Sequence, residues 1–190
     1  MSEPSKFYYF GYGSNLLKQR IQLSNKTAKF VGVGQLDSYC LRFGGDSKRW
    51  MGGTATILSD PNSTIFGCVW LMDESDSANI DAQEGVGDKI YKRHQVEVTL
   101  VENGQKITCR SYQKLSMPDL ESPQNPPSIA YKTIIVDGAV ENNLPPDYIN
   151  YLRNLTDNGV PIDQVPLYNC IKNPEGRTQA EVENLNFTTQ

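Results

Sequence analysis

Phe7-Tyr-Tyr-Phe-Gly-Tyr-Gly-Ser-Asn-Leu16 is the stretch that determines how the N-terminal part of this chain folds. Its four successive aromatic residues predict a buried strand, and Gly11 and Gly13 predict that the strand ends in a tight turn. Residues 16–23 then predict a helix. A strand that passes through glycines into a helix start leaves backbone N–H groups directed out of the turn, with the helix dipole behind them. The stretch therefore predicts either a small anion site or an ordinary strand-to-helix turn.

The segments that follow alternate between strand and helix patterns. Apolar alternation predicts strands over 28–43 (as one strand, or as two broken near 37–38), 52–58, 65–72, 90–100 and 105–115. The last two are joined by Glu102-Asn-Gly104, a strong hairpin signal. Capping and periodicity predict helices over 73–84, over 128–139 and from 145 to 155. Strands with interspersed helices and no regular βαβ alternation predict a mixed α/β (α+β) fold with a single domain.

The domain is predicted to occupy residues 1–162, because the pattern of buried positions ends there. Residues 163–190 are polar and without periodicity, which predicts a C-terminal tail that is disordered or loosely packed. Residues 116–127 form a proline-rich loop, either a lid or a simple connection.

Composition excludes several classes of partner. The chain has 190 residues and a net charge of -4, which gives no basic surface for nucleic acid or for an anionic membrane. No apolar run approaches the roughly 20 residues of a membrane span, and the first residues lack the apolar core of a secretory signal. The four widely spaced cysteines contain no Cys-x-x-Cys pair for zinc, which predicts reduced thiols and no metal site. We therefore expect a cytoplasmic protein without nucleic-acid or membrane partners.

Five motifs occur in a fixed order along the chain. They are Tyr12-Gly-Ser-Asn-Leu16, Trp50-Met-Gly-Gly-Thr-Ala-Thr-Ile57, Gln83-Glu-Gly-Val86 with Tyr91 seven residues after the glutamate, Thr108-Cys-Arg-Ser-Tyr112 and Gly138-Ala-Val-Glu-Asn-Asn-Leu-Pro145. Together they resemble the γ-glutamylcyclotransferase family, over roughly residues 7 to 155. The resemblance implies a small β-barrel with helices packed outside and a cavity beside the glycine turn. It also implies a homodimer, since members of this family are known as homodimers.

The resemblance further implies an activity, the conversion of a small γ-glutamyl amino acid or dipeptide into 5-oxoproline and a free amino acid. The α-amino nitrogen of the substrate attacks its own γ-carbonyl, so the reaction requires no protein nucleophile, no metal and no cofactor. The protein has to fold the substrate for attack and move a proton from the amine to the leaving nitrogen. One carboxyl group of suitable pKa can do both proton transfers.

Glu84 is the predicted acid/base. It lies four residues after Ile80 and shares its helical face, so an inward Ile80 would direct Glu84 inward as well. There the helix dipole and desolvation would both raise the pKa of the carboxyl group. On spacing alone, a solvated glutamate before a glycine cap is the commoner outcome. The resemblance assigns catalysis to Glu84, because the acid/base glutamate of the family stands in the same Glu-Gly context.

The resemblance also indicates which residues bind substrate. They are the turn residues Tyr12, Gly13, Ser14, Asn15 and Leu16, together with the tyrosines Tyr91, Tyr112 and Tyr131. The turn would hold the glutamyl carboxylate and polarise the γ-carbonyl oxygen. Alternatively, Asn15 is a plain helix cap and the tyrosines are core aromatics. Trp50 and the pair Gly52-Gly53 are expected to line the same cavity.

Two other functions were weighed against this one. Gly11-Tyr-Gly13-Ser-Asn-Leu16 superficially matches the Gly-x-Gly-x-x-Gly motif of dinucleotide binding. However, leucine occupies the third glycine position and no regular βαβ unit follows, so we discard this function. The second alternative is a protein that keeps the pocket and acts as a small-ligand-binding or regulatory module. The presence of Glu84 together with the complete turn argues against it.

Overall fold

The structure is a computed structural model that describes residues 5–173, 175, 178, 180, 181 and 184. Its strands are β1 (Lys6–Gly11), β2 (Lys29–Ser47), β3 (Gly52–Asp73), β4 (Tyr91–Leu100) and β5 (Lys106–Lys114). They form a closed barrel in the order β1-β3-β2-β4-β5. Neighbouring strands are antiparallel, except β1 and β5, which meet in parallel at Tyr9 and Arg110. The small barrel and the hairpin of β4 and β5 are confirmed.

The helices of the described part pack outside the barrel. They are α1 (Lys18–Ile21), α2 (Ser77–Gln83), α3 (Ile129–Glu141), α4 (Pro146–Arg153) and α5 (Pro166–Lys172), with short 3₁₀ turns at Ser14–Leu16, Glu74–Asp76 and Ile162–Gln164. The single helix predicted over 16–23 is therefore wrong in form, because the backbone of Leu17 is extended and divides it into a 3₁₀ turn and a four-residue helix. None of the described helices is long and apolar enough to cross a bilayer.

Strands β2 and β3 are longer than the sequence predicted. They pair from Lys29 opposite Leu71 to Ser47 opposite Gly52, so β2 continues four residues beyond the predicted end of the strand over 28–43. The predicted break near 37–38 is a bulge at Ser38, whose φ is 62°. The two strands predicted over 52–58 and 65–72 are instead one continuous strand, β3, in which Ser59 and Thr64 pair with β2 on either side of residues 60–63.

Helix α3 and the glycine turn are packed directly against each other. A Cβ atom at Gly138 would lie 2.4 Å from the backbone nitrogen of Leu17, so only glycine allows this approach. From the barrel side, the Trp70 indole Nε1 donates to the carbonyl oxygen of Asn15 at 3.1 Å. The predicted cap of α3 is confirmed, because the Ser128 hydroxyl accepts from the Tyr131 amide at 3.2 Å. The turn is therefore fixed from two sides.

The loose tail predicted from residue 163 is wrong for its first ten residues. Helix α5 buries Leu167, Cys170 and Ile171 in the hydrophobic core. The sequence did not indicate this because the helix has only seven residues, too few for the spacing of its three buried positions to stand out as a helical pattern. Most of residues 174–190 lie outside the described part of the chain.

The proline-rich loop is tied to the barrel. The Asn125 amide donates to the Phe43 carbonyl at 3.0 Å, and the Gly53 amide donates to the Pro126 carbonyl at 3.0 Å. Met117, near the start of the loop, is itself buried. Of the two predicted roles, these contacts favour a connection over a lid.

Candidate active site

A pocket opens beside the glycine turn and, with its mouth, has a volume of about 310 Å³. Its walls are formed by Tyr9, Tyr12, Gly13, Ser14, Asn15, Ala55, Glu84, Tyr91, Tyr112 and Tyr131. The structure thus brings together Glu84 and every predicted substrate-binding residue except Leu16. The side chain of Leu16 is fully buried in the hydrophobic core instead, where it anchors the turn. Within the described residues, no group of three or more His, Cys, Asp or Glu side chains is arranged to hold a metal ion.

Glu84 stands at the end of α2, where Gly85 stops the helix with a φ of 63°. Ile80, one turn earlier, is fully buried, so the shared face is directed inward as predicted. The Glu84 Oε1 atom accepts hydrogen bonds from Asn15 Nδ2 at 3.2 Å and from Gln83 Nε2 at 3.4 Å. No donor in the described part of the chain reaches Oε2. One carboxylate oxygen is therefore fixed by the protein, and the other is open to a ligand.

The surroundings of Glu84 alter its proton affinity. Burial raises the pKa of the carboxyl group above its ordinary value, and the positive charges of Arg20, Arg49 and Lys114 offset part of that increase. A carboxyl group with a raised pKa accepts and releases a proton more readily near neutral pH than an ordinary glutamate does.

The Asn15 side chain is committed to this arrangement. Its Nδ2 atom donates to the Tyr9 hydroxyl at 2.8 Å as well as to Glu84, and its Oδ1 atom accepts from Gln83 Nε2 at 2.9 Å. The alternative that Asn15 is a helix cap is wrong, because the 3₁₀ turn follows Gly13 without a side-chain capping bond. Asn15 lines the pocket and also holds Glu84 in position.

Two tyrosines meet at the backbone of Ala55. The Tyr91 hydroxyl donates to the Ala55 carbonyl at 2.7 Å, whereas the Tyr131 hydroxyl accepts from the Ala55 amide at 3.2 Å. Burial raises the pKa of Tyr131 to about 12, so its hydroxyl is protonated at neutral pH. Since no acceptor among the described residues takes that proton, Tyr131 can donate it to a ligand in the pocket.

Two further tyrosines of the pocket, Tyr12 and Tyr112, are held through their hydroxyl groups. The Tyr12 hydroxyl donates to the carbonyl oxygen of Tyr112, which joins the turn to β5. The Tyr112 hydroxyl donates to Asp81 Oδ1 at 2.7 Å, and Asp81 also forms an ion pair with Arg93. These hydroxyl protons are engaged inside the protein, so both rings act as fixed walls.

The chain matches the AIG2-like family over residues 64–152. It is 44% identical over 156 residues to a γ-glutamylcyclotransferase of Bos taurus, with 80% of each chain covered. It is 42% identical over 160 residues to that of Homo sapiens, with 82% of each covered. A solved structure of a γ-glutamyl cyclotransferase superposes with a TM-score of 0.76 at 38% identity, covering 86% of this chain and 98% of that one. This chain belongs to the γ-glutamylcyclotransferase family.

In this γ-glutamylcyclotransferase family member, a second pocket adjoins the first. We call it the arginine pocket; it has a volume of about 330 Å³ with its mouth and is lined by Ser14, Arg20, Arg49, Trp50, Thr54, Gln83, Glu84, Tyr91 and Tyr131. Trp50, predicted to line the cavity, lies here. The prediction for Gly52 and Gly53 is wrong, because neither lines either pocket: a Cβ atom at Gly53 would lie 1.8 Å from the Asn125 carbonyl oxygen.

Tyr9, Arg20 and Arg49 also line these pockets and were not predicted from the sequence. Arg20 could have been found, because it stands four residues after Leu16 and three after Leu17, on the apolar face of the predicted helix. A cation on such a face is a signal of burial and of a missing partner. Nothing comparable indicated Arg49, which lies in a polar segment.

Proposed function

We propose that this protein is a γ-glutamylcyclotransferase, an enzyme that converts a γ-glutamyl amino acid or dipeptide into 5-oxoproline and a free amino acid. The observation that carries the proposal is the Glu84 carboxyl group, desolvated and held through one oxygen by Asn15 at the wall of the pocket. Membership of the family supports the same reaction.

Glu84 would act twice in one turnover. As the substrate amine attacks the γ-carbonyl carbon, a new C–N bond closes the five-membered ring and Glu84 takes the proton released from the amine. When the original C–N bond breaks, Glu84 returns that proton to the leaving nitrogen. Folding the substrate for attack is worth about 7–11 kcal/mol in favourable intramolecular reactions. A positioned acid/base contributes about 10²- to 10⁴-fold more.

The turn and Tyr131 would bind the substrate and stabilise negative charge. The Tyr131 proton has no acceptor among the described residues, and Ser14 lines the pocket beside it. Together with backbone N–H groups of the turn, they are suited to hold the glutamyl carboxylate or the oxyanion that forms at the γ-carbonyl.

The test is 5-oxoproline release from γ-glutamyl-alanine, glutathione and γ-glutamyl-lysine by the purified protein, without added metal. We expect release from γ-glutamyl-alanine and a loss of about 10²- to 10⁴-fold in Glu84→Gln. Glu97→Gln is the matched control, because Glu97 lies exposed on β4 and pairs with Lys106. If substrate binds by calorimetry and none of the three is converted, the binding-module alternative is favoured.

We also infer that the protein works in the cytoplasm, on γ-glutamyl compounds of glutathione metabolism, as a homodimer. The cysteines support a reducing compartment, since none of Cys40, Cys68, Cys109 and Cys170 forms a disulfide in the described part of the chain and the last three are buried. The dimer rests on the family alone. Light scattering of the purified protein at micromolar concentration tests it, and a monomer mass would contradict it.

A further inference from the structure

Arg20 is a buried cation that does not use all of its hydrogen-bond donors within the described part of the chain. The residue is 2% exposed, and two of its three side-chain nitrogen atoms, Nε and Nη1, are buried without a hydrogen-bond partner there. Burying a charged group without partners costs several kcal/mol, so folded proteins seldom tolerate it unless a ligand supplies them. Arg20 lines the arginine pocket, where such a ligand can reach it.

The surroundings of Arg20 favour an anion. Its guanidinium lies 5.9 Å from the ring centre of Trp50, and no carboxylate of the described residues forms an ion pair with it. Burial and the nearby charge of Arg49 lower the pKa of Arg20 to about 10, which leaves it charged at neutral pH. Among its lining residues the arginine pocket thus has two guanidinium groups and one carboxyl group. That carboxyl group belongs to Glu84, which also lines the first pocket.

The position of the arginine pocket indicates which anion it takes. It shares Ser14, Glu84, Tyr91 and Tyr131 with the first pocket, so a group that leaves beside Glu84 is next to the arginines. A γ-glutamyl amino acid carries two carboxylates. One belongs to the glutamyl part, and the other is separated from the leaving nitrogen by a single carbon atom.

We propose that Arg20, assisted by Arg49, binds the α-carboxylate of the leaving amino acid and so selects γ-glutamyl amino acids over uncharged γ-glutamyl amides. This inference rests on the proposed function of the same site. A guanidinium is suited to this task because it can offer two parallel N–H donors to one carboxylate. The residue determines specificity, while the proton transfers remain with Glu84.

The experiment compares γ-glutamyl-alanine with γ-glutamyl-alaninamide, which differ only in the charge of the leaving group. We expect wild type to prefer the carboxylate substrate, and Arg20→Met to reduce the ratio of the two kcat/KM values by about 10- to 100-fold. The loss should appear mainly as a raised KM for γ-glutamyl-alanine. Arg20→Lys keeps the positive charge but lacks the two parallel N–H donors of the guanidinium, so it should retain part of the preference.

The matched control is Arg153→Met, because Arg153 is exposed at the end of α4 and touches neither pocket. It should leave the ratio unchanged. An unchanged ratio in Arg20→Met would overturn the proposal. So would an equal loss with both substrates, which would mean that Arg20 acts on the glutamyl part or, through its charge, on the pKa of Glu84, and not on the leaving group.

A binding measurement separates this proposal from the proposed function. If wild type converts neither substrate, the cyclotransferase activity fails. Calorimetry with the same two compounds then decides the role of Arg20. Tighter binding of γ-glutamyl-alanine that is lost in Arg20→Met supports the carboxylate site, and equal binding of both compounds refutes it. Melting curves of each variant verify that the protein is folded.

Discussion

Glu84 makes the folded protein less stable than an uncharged residue would. Burial raises the pKa of its carboxyl group above its ordinary value. Between the ordinary pKa of about 4.3 and the raised one, the folded state holds a proton that the unfolded chain has lost. The free energy of unfolding therefore falls as the pH rises through this window, and above it the folded protein carries a desolvated carboxylate.

Glu84→Gln should therefore melt at a higher temperature than wild type at pH 7 and at nearly the same temperature near pH 4. Glutamine keeps the shape of the side chain and can still accept from Asn15, but it carries no charge. Differential scanning calorimetry at the two pH values measures the difference in melting temperature between the variant and wild type. A difference of the same size at both pH values would show that the ionisation of Glu84 does not affect stability.

The charge of Lys114 is expected to influence the pKa of Glu84 and, through it, the position of the acid limb of the pH–rate profile. Burial lowers its pKa to about 8, so it is charged at neutral pH, and its charge helps to keep Glu84 ionised. Its Nζ atom is fixed 2.7 Å from the Thr54 hydroxyl oxygen. Lys114→Met should raise the pKa of Glu84, because one of the offsetting charges is gone.

The acid limb of kcat/KM should then move to higher pH in Lys114→Met, since Glu84 must be ionised to accept the amine proton. Lys106→Met is the control, because Lys106 is exposed and pairs with Glu97. An acid limb that stays in place in Lys114→Met would mean that this charge does not reach the catalytic carboxyl group.

The individual residues of the site were predictable to different degrees. Glu84 and the turn could be predicted, because their chemistry and their neighbours in sequence are characteristic. The bond from Asn15 to Glu84 could not, since 69 positions separate the two and only the closed fold brings them together. The burial of Arg20 could have been inferred from its place on the apolar face of the first helix, but which of its nitrogen atoms lack partners is visible only in the fold.

At the level of secondary-structure elements, α3 supports the active site from outside the barrel. Gly138 lets the helix approach the backbone of Leu16 and Leu17, immediately after the turn. Gly138→Ala gains about 1 kcal/mol of helix propensity, but its methyl group would have to displace backbone atoms. Overpacking of this kind typically costs about 1–3 kcal/mol.

We therefore expect Gly138→Ala to lower the free energy of unfolding in urea and to reduce kcat/KM, because the turn shifts with the helix. Gly87→Ala is the matched control. A Cβ atom there meets nothing within 4 Å, so neither stability nor activity should change by a comparable amount. A Gly138→Ala protein as stable and as active as wild type would show that α3 can shift to accommodate the methyl group without moving the turn.

The elements themselves were predictable where local chemistry determines them. Gly104, with a φ of 72°, ends the hairpin turn that its sequence signalled, and Ser128 caps α3 as expected. The continuous β3 was not predictable, because Asp60-Pro61 is a strong turn signal. Pairing of residues 52–59 and 64–71 with the same partner strand overrides that signal.

At the scale of the whole molecule, the barrel and its outer helices share one hydrophobic core. Trp70 of β3, Ile134 of α3 and Leu167 of α5 all belong to a single buried cluster. Closure of the sheet gives each of the five strands a neighbouring strand on both sides. The sequence predicted the class of fold, but it could not show that residues after 163 complete this core.

Leu167→Ala should destabilise the entire domain and not only its last helix. The side chain is fully buried, so its loss should lower the free energy of unfolding by about 2–5 kcal/mol. The urea midpoints measured by far-ultraviolet circular dichroism and by fluorescence of the buried Trp50 and Trp70 should move together. Leu120→Ala, at an exposed position, should move neither. A loss of helical signal at low urea with unchanged fluorescence would mean that α5 unfolds separately, and the domain would then end near residue 162 after all.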